Sequence, residues 1–226
     1  MLQKSRIVLF ALSAILLKAA DQDWKDKQYP EWTEDDAKEV MKDSPWAKTV
    51  VGTIVKASDV VHRSGGITAH LPGMSRRRDT SSQTGGNAGS SSSQPPTLTL
   101  RWESALPMRE AELKAHDIGA PSLEDGYYAI AVYGIPRGMV KDDSKELADE
   151  FKKQAIIKRE GKKDTKPSSV EILLRDDGPV VLYLFPKSAE FNWRDHRIEF
   201  DGQVDKLKFS QSFSTDEMRF HGTLEL

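Results

Sequence analysis

Val-Glu-Ile-Leu-Leu-Arg-Asp-Asp-Gly-Pro-Val-Val-Leu-Tyr-Leu-Phe, residues 170–185, places a turn signal between two apolar runs. The runs Val170–Leu174 and Val180–Phe185 flank this signal, which predicts a β-hairpin. The second run is apolar on both of its alternating faces, which is typical of a central strand covered on both sides. Pro179 has no N–H, so we expect a loop longer than a two-residue turn. The hairpin is predicted to mark the core.

Periodic patterns outside the hairpin predict the other elements. Alternating apolar residues predict five strands: Thr97–Ser104, Tyr127–Ile135, Arg197–Phe200, Lys206–Phe213 and Phe220–Leu226. Capping residues and helical spacing predict three helices. The first lies in Glu31–Met41 with Thr33 as its cap, the second is Met108–His116, and the third runs to Ala155 with Asp143 as its cap. Val50–Val55 fits either a strand or part of a helix. We therefore predict an α+β fold with a mostly antiparallel β-sheet and two or three helices.

The C-terminal segment alternates apolar and polar residues. We expect Phe220–Leu226 to be a strand of the main sheet, antiparallel to Lys206–Phe213, because an isolated apolar tail would fray. Gly222 would lie on the inner face and leave room for a bulky neighbour, with Trp193, Phe200 or Phe209 as candidates.

Met1–Ala20 is typical of a secretory signal, since Lys4 and Arg6 precede an apolar run. That run, Ile7–Leu17, is short for a membrane span. Cleavage after Ala20 would leave Lys18 three residues before the cut, where a small residue is preferred. Despite this imperfect site, a signal-like N-terminal helix that is cleaved is the main prediction, because the basic residues and the apolar run fit a signal. An uncleaved anchor and a buried helix are the alternatives.

Composition divides the rest of the chain into three parts. Residues 21–61 are predicted to be an N-terminal helical arm, and residues 97–226 the α+β domain. Residues 62–96 are rich in Ser, Gly and Arg and include Arg76–Arg78. Such a segment cannot bury enough apolar surface to offset its loss of entropy, so a disordered linker is predicted. The arginines are interpreted as a solvated cluster, with contact to an acidic surface as the alternative.

Charge and cysteine content exclude several classes of function. The chain has 226 residues, a net charge of −2 and no cysteine. A general nucleic-acid binder needs a strong basic excess, which this chain lacks. Without cysteine there are no disulfides, no thiolate metal sites and no cysteine nucleophile.

No motif identifies a catalytic or metal site, and no cofactor is predicted. The five histidines do not form a ligand motif: they are His62, His70, His116, His196 and His221. No glycine pattern for a nucleotide and no G-x-S-x-G is present. The pairs Asp142–Asp143 and Asp176–Asp177 could act as catalytic carboxylates. Both pairs stand where caps and turns favour aspartate, so that interpretation is preferred.

Three tryptophans lie close together in the N-terminal arm: Trp24, Trp32 and Trp46. They could stack on a sugar or a peptide. Alternatively they fix the arm to the sheet, and this is the prediction, because each indole buries a large area in one contact.

Four sequence segments resemble those of a known family: Asp43–Lys48, Leu100–Ala111, Asp177–Pro186 and Phe220–Leu226. In this order the chain resembles a family of uncharacterised exported proteins of acidobacteria, often grouped near the GWxTD-domain proteins. The chain itself has no Gly-Trp-x-Thr-Asp motif. The resemblance implies an exported bacterial protein and assigns no site residue.

These observations predict a periplasmic or secreted protein without a stable membrane span after signal cleavage. Its expected role is a non-catalytic module that binds a partner protein or another component of the cell envelope. The alternative is a secreted or periplasmic hydrolase whose site is assembled from scattered Asp, His and Ser residues. A deep pocket with convergent titratable groups would favour the hydrolase, and a flat apolar or aromatic patch would favour the binding module.

Overall fold

The structure is a computed structural model that describes residues 23–55 and 95–226. The predicted signal and nearly all of the predicted linker lie outside these residues. The elements in chain order are α1 (Glu34–Lys42), β1 (Ala47–Val51), β2 (Thr53–Ile54), β3 (Thr97–Trp102), α2 (Leu106–Lys114), β4 (Tyr127–Tyr133), α3 (Lys145–Lys153), β5 (Ile156–Arg159), β6 (Ser169–Leu173), β7 (Val180–Pro186), β8 (Arg197–Val204), β9 (Leu207–Ser214), β10 (Arg219–Phe220) and β11 (Thr223–Leu224).

The strands form antiparallel sheets, and the predicted α+β class is confirmed. A five-stranded sheet has the order β1-β3-β4-β7-β6, and a four-stranded sheet has the order β2-β9-β8-β5. The predicted hairpin is the pair β6–β7, with Ile172 opposite Val181. Six residues, 174–179, connect its strands, as the missing N–H of Pro179 led us to expect.

Strand β7 is buried on both faces, as its double apolar pattern predicts. Tyr183 and Phe185 point into the main core, where their rings lie 5.1 and 5.9 Å from the ring of Phe200 in the other sheet. The opposite face of β7 packs with Ala129 and Ala131 of β4 in a smaller cluster. The inner and outer faces of the five-stranded sheet therefore have separate apolar contacts.

The predicted arm is an integral part of both sheets. Strand β1 pairs with β3 in one sheet and strand β2 pairs with β9 in the other, so the ambiguous Val50–Val55 segment is mainly strand. Gly52 makes the corner between them, and a Cβ atom there would overlap the side chain of Leu207. The glycine is therefore required for the chain to cross between the sheets.

The prediction for the C-terminal segment is wrong. Within the part of the chain that the structure describes, strands β10 and β11 pair only with each other, outside the two main sheets. His221 and Gly222 both have positive φ, 49° and 84°, so the chain reverses there in a tight turn. A Cβ at Gly222 would meet no atom of residues 23–55 or 95–226 within 4 Å, so this glycine serves the turn and makes no room for an aromatic ring.

Two predicted helix starts can be compared with the structure. Helix α1 begins after Thr33, whose hydroxyl accepts a bond from the N–H of Asp36, as its sequence predicts. Helix α3 begins after Ser144, whose side chain accepts from Leu147, so the predicted cap at Asp143 is wrong by one residue. Ser144 can bond to its own helix because its hydroxyl reaches an otherwise unsatisfied N–H.

Candidate functional site

A polar cleft of about 940 Å³ opens on the outer face of the five-stranded sheet. It is lined by strands β3 and β4, the 117–122 segment after helix α2, strand β6 and the loop that follows β6. Its charged and aromatic lining residues are Arg101, Asp117, Tyr133, Asp143, Glu171, Arg175, Asp176 and Asp177. This volume lies within the range usual for small-molecule sites.

Two arginines contact one tyrosine ring inside the cleft. Arg101 faces outward from β3, opposite Ala131, on the face that also carries Tyr133. The guanidinium carbons of Arg101 and Arg175 lie 4.4 and 5.6 Å from the centre of the Tyr133 ring. Both distances are within the range of cation–π contacts, so the ring orients both guanidinium groups.

Asp117 lies beside these arginines. Its Oδ2 is 3.6 Å from Nη1 of Arg101, longer than a hydrogen bond, and its Oδ1 accepts from the N–H of Gly119 at 2.9 Å. A Cβ atom at Gly119 would lie 2.9 Å from Nη1 of Arg175 and 3.1 Å from Oδ1 of Asp117. The 117–122 segment therefore passes in close contact with the second arginine.

Other contacts hold Arg101 in place. Its Nε donates to the carbonyl of Met41 at 2.9 Å. Its Nη1 is buried without a hydrogen-bond partner among the described residues. An arginine presents five donors in a fixed plane, so this group has hydrogen-bonding capacity that the fold leaves unused.

Two buried glutamates lie beneath the tyrosine. The hydroxyl of Tyr133 donates to Oε1 of Glu103 at 2.6 Å, and Glu103 is fully buried directly after β3. Helix α2 brings Glu112 beside it, also buried. Burial and the adjacent charge of Glu103 raise the pKa of Glu112 far above its ordinary value, so Glu112 holds a proton at neutral pH. The same two causes raise the pKa of Tyr133.

The rim of the cleft is acidic and partly apolar. Two arginines face five carboxylates across the lining, an excess of three negative charges. Ile118 is fully exposed and Leu174 is about half exposed at the mouth. The cleft thus offers fixed positive charge at its base, negative charge at its rim and apolar contacts at its entrance.

The structure separates most of the residues that the sequence singled out. His116, His196 and His221 are exposed on different elements, and the other two histidines lie outside the described residues. Asp142 accepts a bond from the N–H of Ser144, as an aspartate in a turn does. Asp143, Asp176 and Asp177 line the cleft, and the last two stand in the hairpin loop.

The three tryptophans are confirmed as anchors. Trp24, Trp32 and Trp46 are buried, and the ring of Trp24 lies 5.9 and 6.0 Å from the other two. Trp32 and Trp46 also pack with Phe220 of the C-terminal hairpin. With so little exposed surface, they hold the N-terminal part of the chain against the fold.

Sequence reasoning missed Arg101, Glu103, Glu112, Tyr133 and Arg175. The alternation in β3 placed Arg101 and Glu103 on a solvent-facing side, yet Glu103 is fully buried because helix α2 and the following segment cover that end of the strand. The available signal was a charged residue within β3, Arg101, and another directly after it, Glu103, together with a tyrosine at the end of a strongly apolar strand.

Residues 23–55 and 95–226 contain neither a cluster of potential metal ligands nor a membrane-spanning helix. No group of three or more His, Asp or Glu side chains there could hold a metal ion. Across the same two ranges, no helix has the length and apolar content needed to cross a bilayer.

No protein-family model, curated protein or solved structure matches this chain. The resemblance to exported acidobacterial proteins therefore stays a prediction.

Proposed function

We propose that the protein is an exported bacterial module that binds a component of the cell envelope in this cleft without changing it chemically. The observation that carries the proposal is the pair of guanidinium groups on the Tyr133 ring. Arginine stays charged at all physiological pH values and donates several fixed hydrogen bonds, which suits recognition better than proton transfer. The titratable groups beneath the two arginines already bond to each other, since the hydroxyl of Tyr133 donates to Glu103.

Export is supported by the signal-like pattern of Met1–Ala20 and by the family resemblance. N-terminal sequencing of the protein recovered from its native bacterium tests this part. A mature chain that begins near Asp21 in the periplasmic or secreted fraction is the expected result. An intact Met1 in the soluble cytoplasmic fraction would contradict it.

Binding without turnover is tested with a defined panel of free amino acids, short peptides and oligosaccharides. Calorimetry would identify a bound compound, and mass spectrometry after long incubation would show whether it is recovered unchanged. Recovery of the intact compound is expected. An Arg175→Gln variant should weaken its binding, since that guanidinium lines the cleft.

A hydrolase is the second candidate. It is favoured by the several titratable groups that line the cleft and by the buried Glu103–Glu112 pair. Two adjacent carboxyl groups that hold a proton between them can act as a general acid and a general base. Enzymatic activity requires that a substrate reach these buried groups from the cleft. A reaction product that appears with the unaltered protein and is lost in Glu112→Gln would establish the hydrolase and overturn the binding proposal.

A further inference from the structure

We infer that Arg101 and Arg175 form a carboxylate-binding site, which Asp117 now occupies as an internal ligand, for a compound that also carries a positive charge. This inference rests on the proposed binding function and names its ligand class. A free amino acid or a short peptide with a free C-terminus has this chemistry.

The donors are pre-arranged on Tyr133. Arg101 lies 4.4 Å from the ring centre and is held by the Met41 carbonyl, so its orientation is fixed before any ligand arrives. Arg175 approaches the same ring and forms no ion pair with any carboxylate among the described residues. Arginines in fixed positions bind carboxylates through two parallel hydrogen bonds.

Asp117 competes for these donors with poor geometry. Its carboxylate is 3.6 Å from Arg101, beyond hydrogen-bonding distance, although the Arg101 nitrogen concerned is buried and has no hydrogen-bond partner in residues 23–55 and 95–226. Its other oxygen bonds to Gly119 within the same turn. A ligand carboxylate that makes short bonds to the arginines would therefore replace a weak internal contact with a stronger one.

The rim selects against multiply charged anions. The excess of three negative charges in the lining repels a phosphate, which carries nearly two charges, more than it repels a carboxylate. Asp176 and Asp177 stand exposed at the mouth, where they can pair with an ammonium group of the same ligand. Opposite charges on one small molecule match the arrangement of opposite charges in the cleft.

Isothermal titration of the unaltered protein with the tripeptide Gly-Lys-Ala, as the free acid and as its C-terminal amide, tests the carboxylate directly. The free acid should bind at least about tenfold more tightly than the amide, because the amide cannot accept two charge-assisted bonds. Equal affinity for both forms overturns the inference. Tighter binding of inorganic phosphate than of the free acid would overturn the choice of a carboxylate.

Two variants test the roles of Asp117 and Arg175. Asp117→Asn should bind the free acid about three- to tenfold more tightly, since the internal competitor loses its charge. Arg175→Gln should weaken binding at least about tenfold. Arg219→Gln, an exposed arginine on the C-terminal hairpin, is the matched control and should leave affinity unchanged. Unchanged or weaker binding in Asp117→Asn would show that Asp117 is no competitor.

Failure of this inference is distinguishable from failure of the proposed function. If the protein binds a neutral oligosaccharide in the cleft and ignores the tripeptide, the binding module stands and the carboxylate site is wrong. If the tripeptide is hydrolysed, the site takes the inferred ligand and the non-catalytic role is wrong. The acid–amide comparison needs no variant, so it remains decisive if a substitution disturbs folding.

Discussion

Gly202 and Phe209 face each other across the β8–β9 hairpin, and the phenylalanine ring fills the space that a side chain at 202 would need. A Cβ atom at Gly202 would lie 2.6 Å from two carbons of this ring. The ring is itself buried in the core between the sheets. The contact between a glycine and an aromatic ring that the sequence suggested for Gly222 is therefore found at Gly202.

Gly202→Ala should destabilise the protein. The added methyl group forces the buried ring of Phe209 to move, which costs about 1–3 kcal/mol in a well-packed core. Chemical denaturation measures the loss. Gly138→Ala is the control, because a Cβ there would meet no atom of the described residues within 4 Å. Equal stability of the two variants would contradict the packing described.

Tyr133→Phe should also lower stability. Removing the hydroxyl leaves Oε1 of Glu103 buried without its donor, a loss of about 1–3 kcal/mol. Tyr127→Phe, on the same strand, removes a hydroxyl from a half-buried tyrosine that has no such partner among the described residues. Thermal unfolding should distinguish the two variants. A larger effect at Tyr127 would show that the Tyr133–Glu103 bond contributes little.

The stability of the protein should fall as pH rises above the ordinary glutamate range, and Glu112 should be a cause. Its folded pKa is raised above the ordinary 4.5, so the folded protein keeps a proton that the unfolded chain releases above that pH. The free energy of unfolding then decreases with pH by up to about 1.4 kcal/mol per unit. Glu112→Gln should reduce this slope and stabilise the protein at pH 8. An unchanged slope would contradict the assignment.

Asp195→Asn should cost about 3–5 kcal/mol, as expected when one partner of a buried ion pair is removed. Asp195 has a fully buried side chain that contacts Lys162 at 2.6 Å and Arg159 at 3.4 Å. Burial raises its pKa, but the bonds from Lys162 and the Asn192 N–H and the charge of Arg159 together lower it. This contribution is present above the ordinary aspartate pKa and is lost as pH falls through the lowered value.

The control for Asp195 is Asp216→Asn. Asp216 pairs with His196 at 3.2 Å on the surface, where both side chains are more than half exposed. Surface pairs contribute about 0–1 kcal/mol, so this variant should unfold close to the unaltered protein. Urea titrations at pH 7 and pH 3 would compare both variants. Similar losses at the two sites would argue against a special role for the buried pair.

Deletion of Leu224–Leu226 should lower the free energy of unfolding by about 2–4 kcal/mol. Both leucines are half-buried against the core, and Nε1 of Trp46 donates to the carbonyl of Glu225 at 2.8 Å. The truncation removes this acceptor and exposes apolar surface around the tryptophans. A truncated protein with an unchanged melting temperature would show that the tail adds nothing to the fold.

The sequence predicted the class of fold and its central hairpin because both depend on local patterns. The double apolar face of β7 and the turn at residues 174–179 are encoded in consecutive residues. The C-terminal error has the opposite origin. The alternation of Phe220–Leu226 is compatible with a long strand, and only the positive φ values at His221 and Gly222 turn it into a hairpin.

The cleft could not be predicted because its parts are distant in sequence. Arg101, Tyr133 and Arg175 belong to two strands and a loop, and only the sheet register brings them to one ring. The pairing of Glu103 with Glu112 depends on how helix α2 folds back over β3. The pattern of apolar residues along the chain does not determine how helix α2 packs against β3.

The corner at Gly52 makes this protein a natural candidate for division into two complementing fragments. A cut within residues 56–94 would release an N-terminal piece that carries β1, β2 and the three tryptophans, together with a C-terminal piece that lacks one strand in each sheet. Neither piece could close the core alone, since each exposes an unpaired strand edge and apolar surface. The two pieces would recombine as a split protein, and their reassembly would report on proximity between two fused partners.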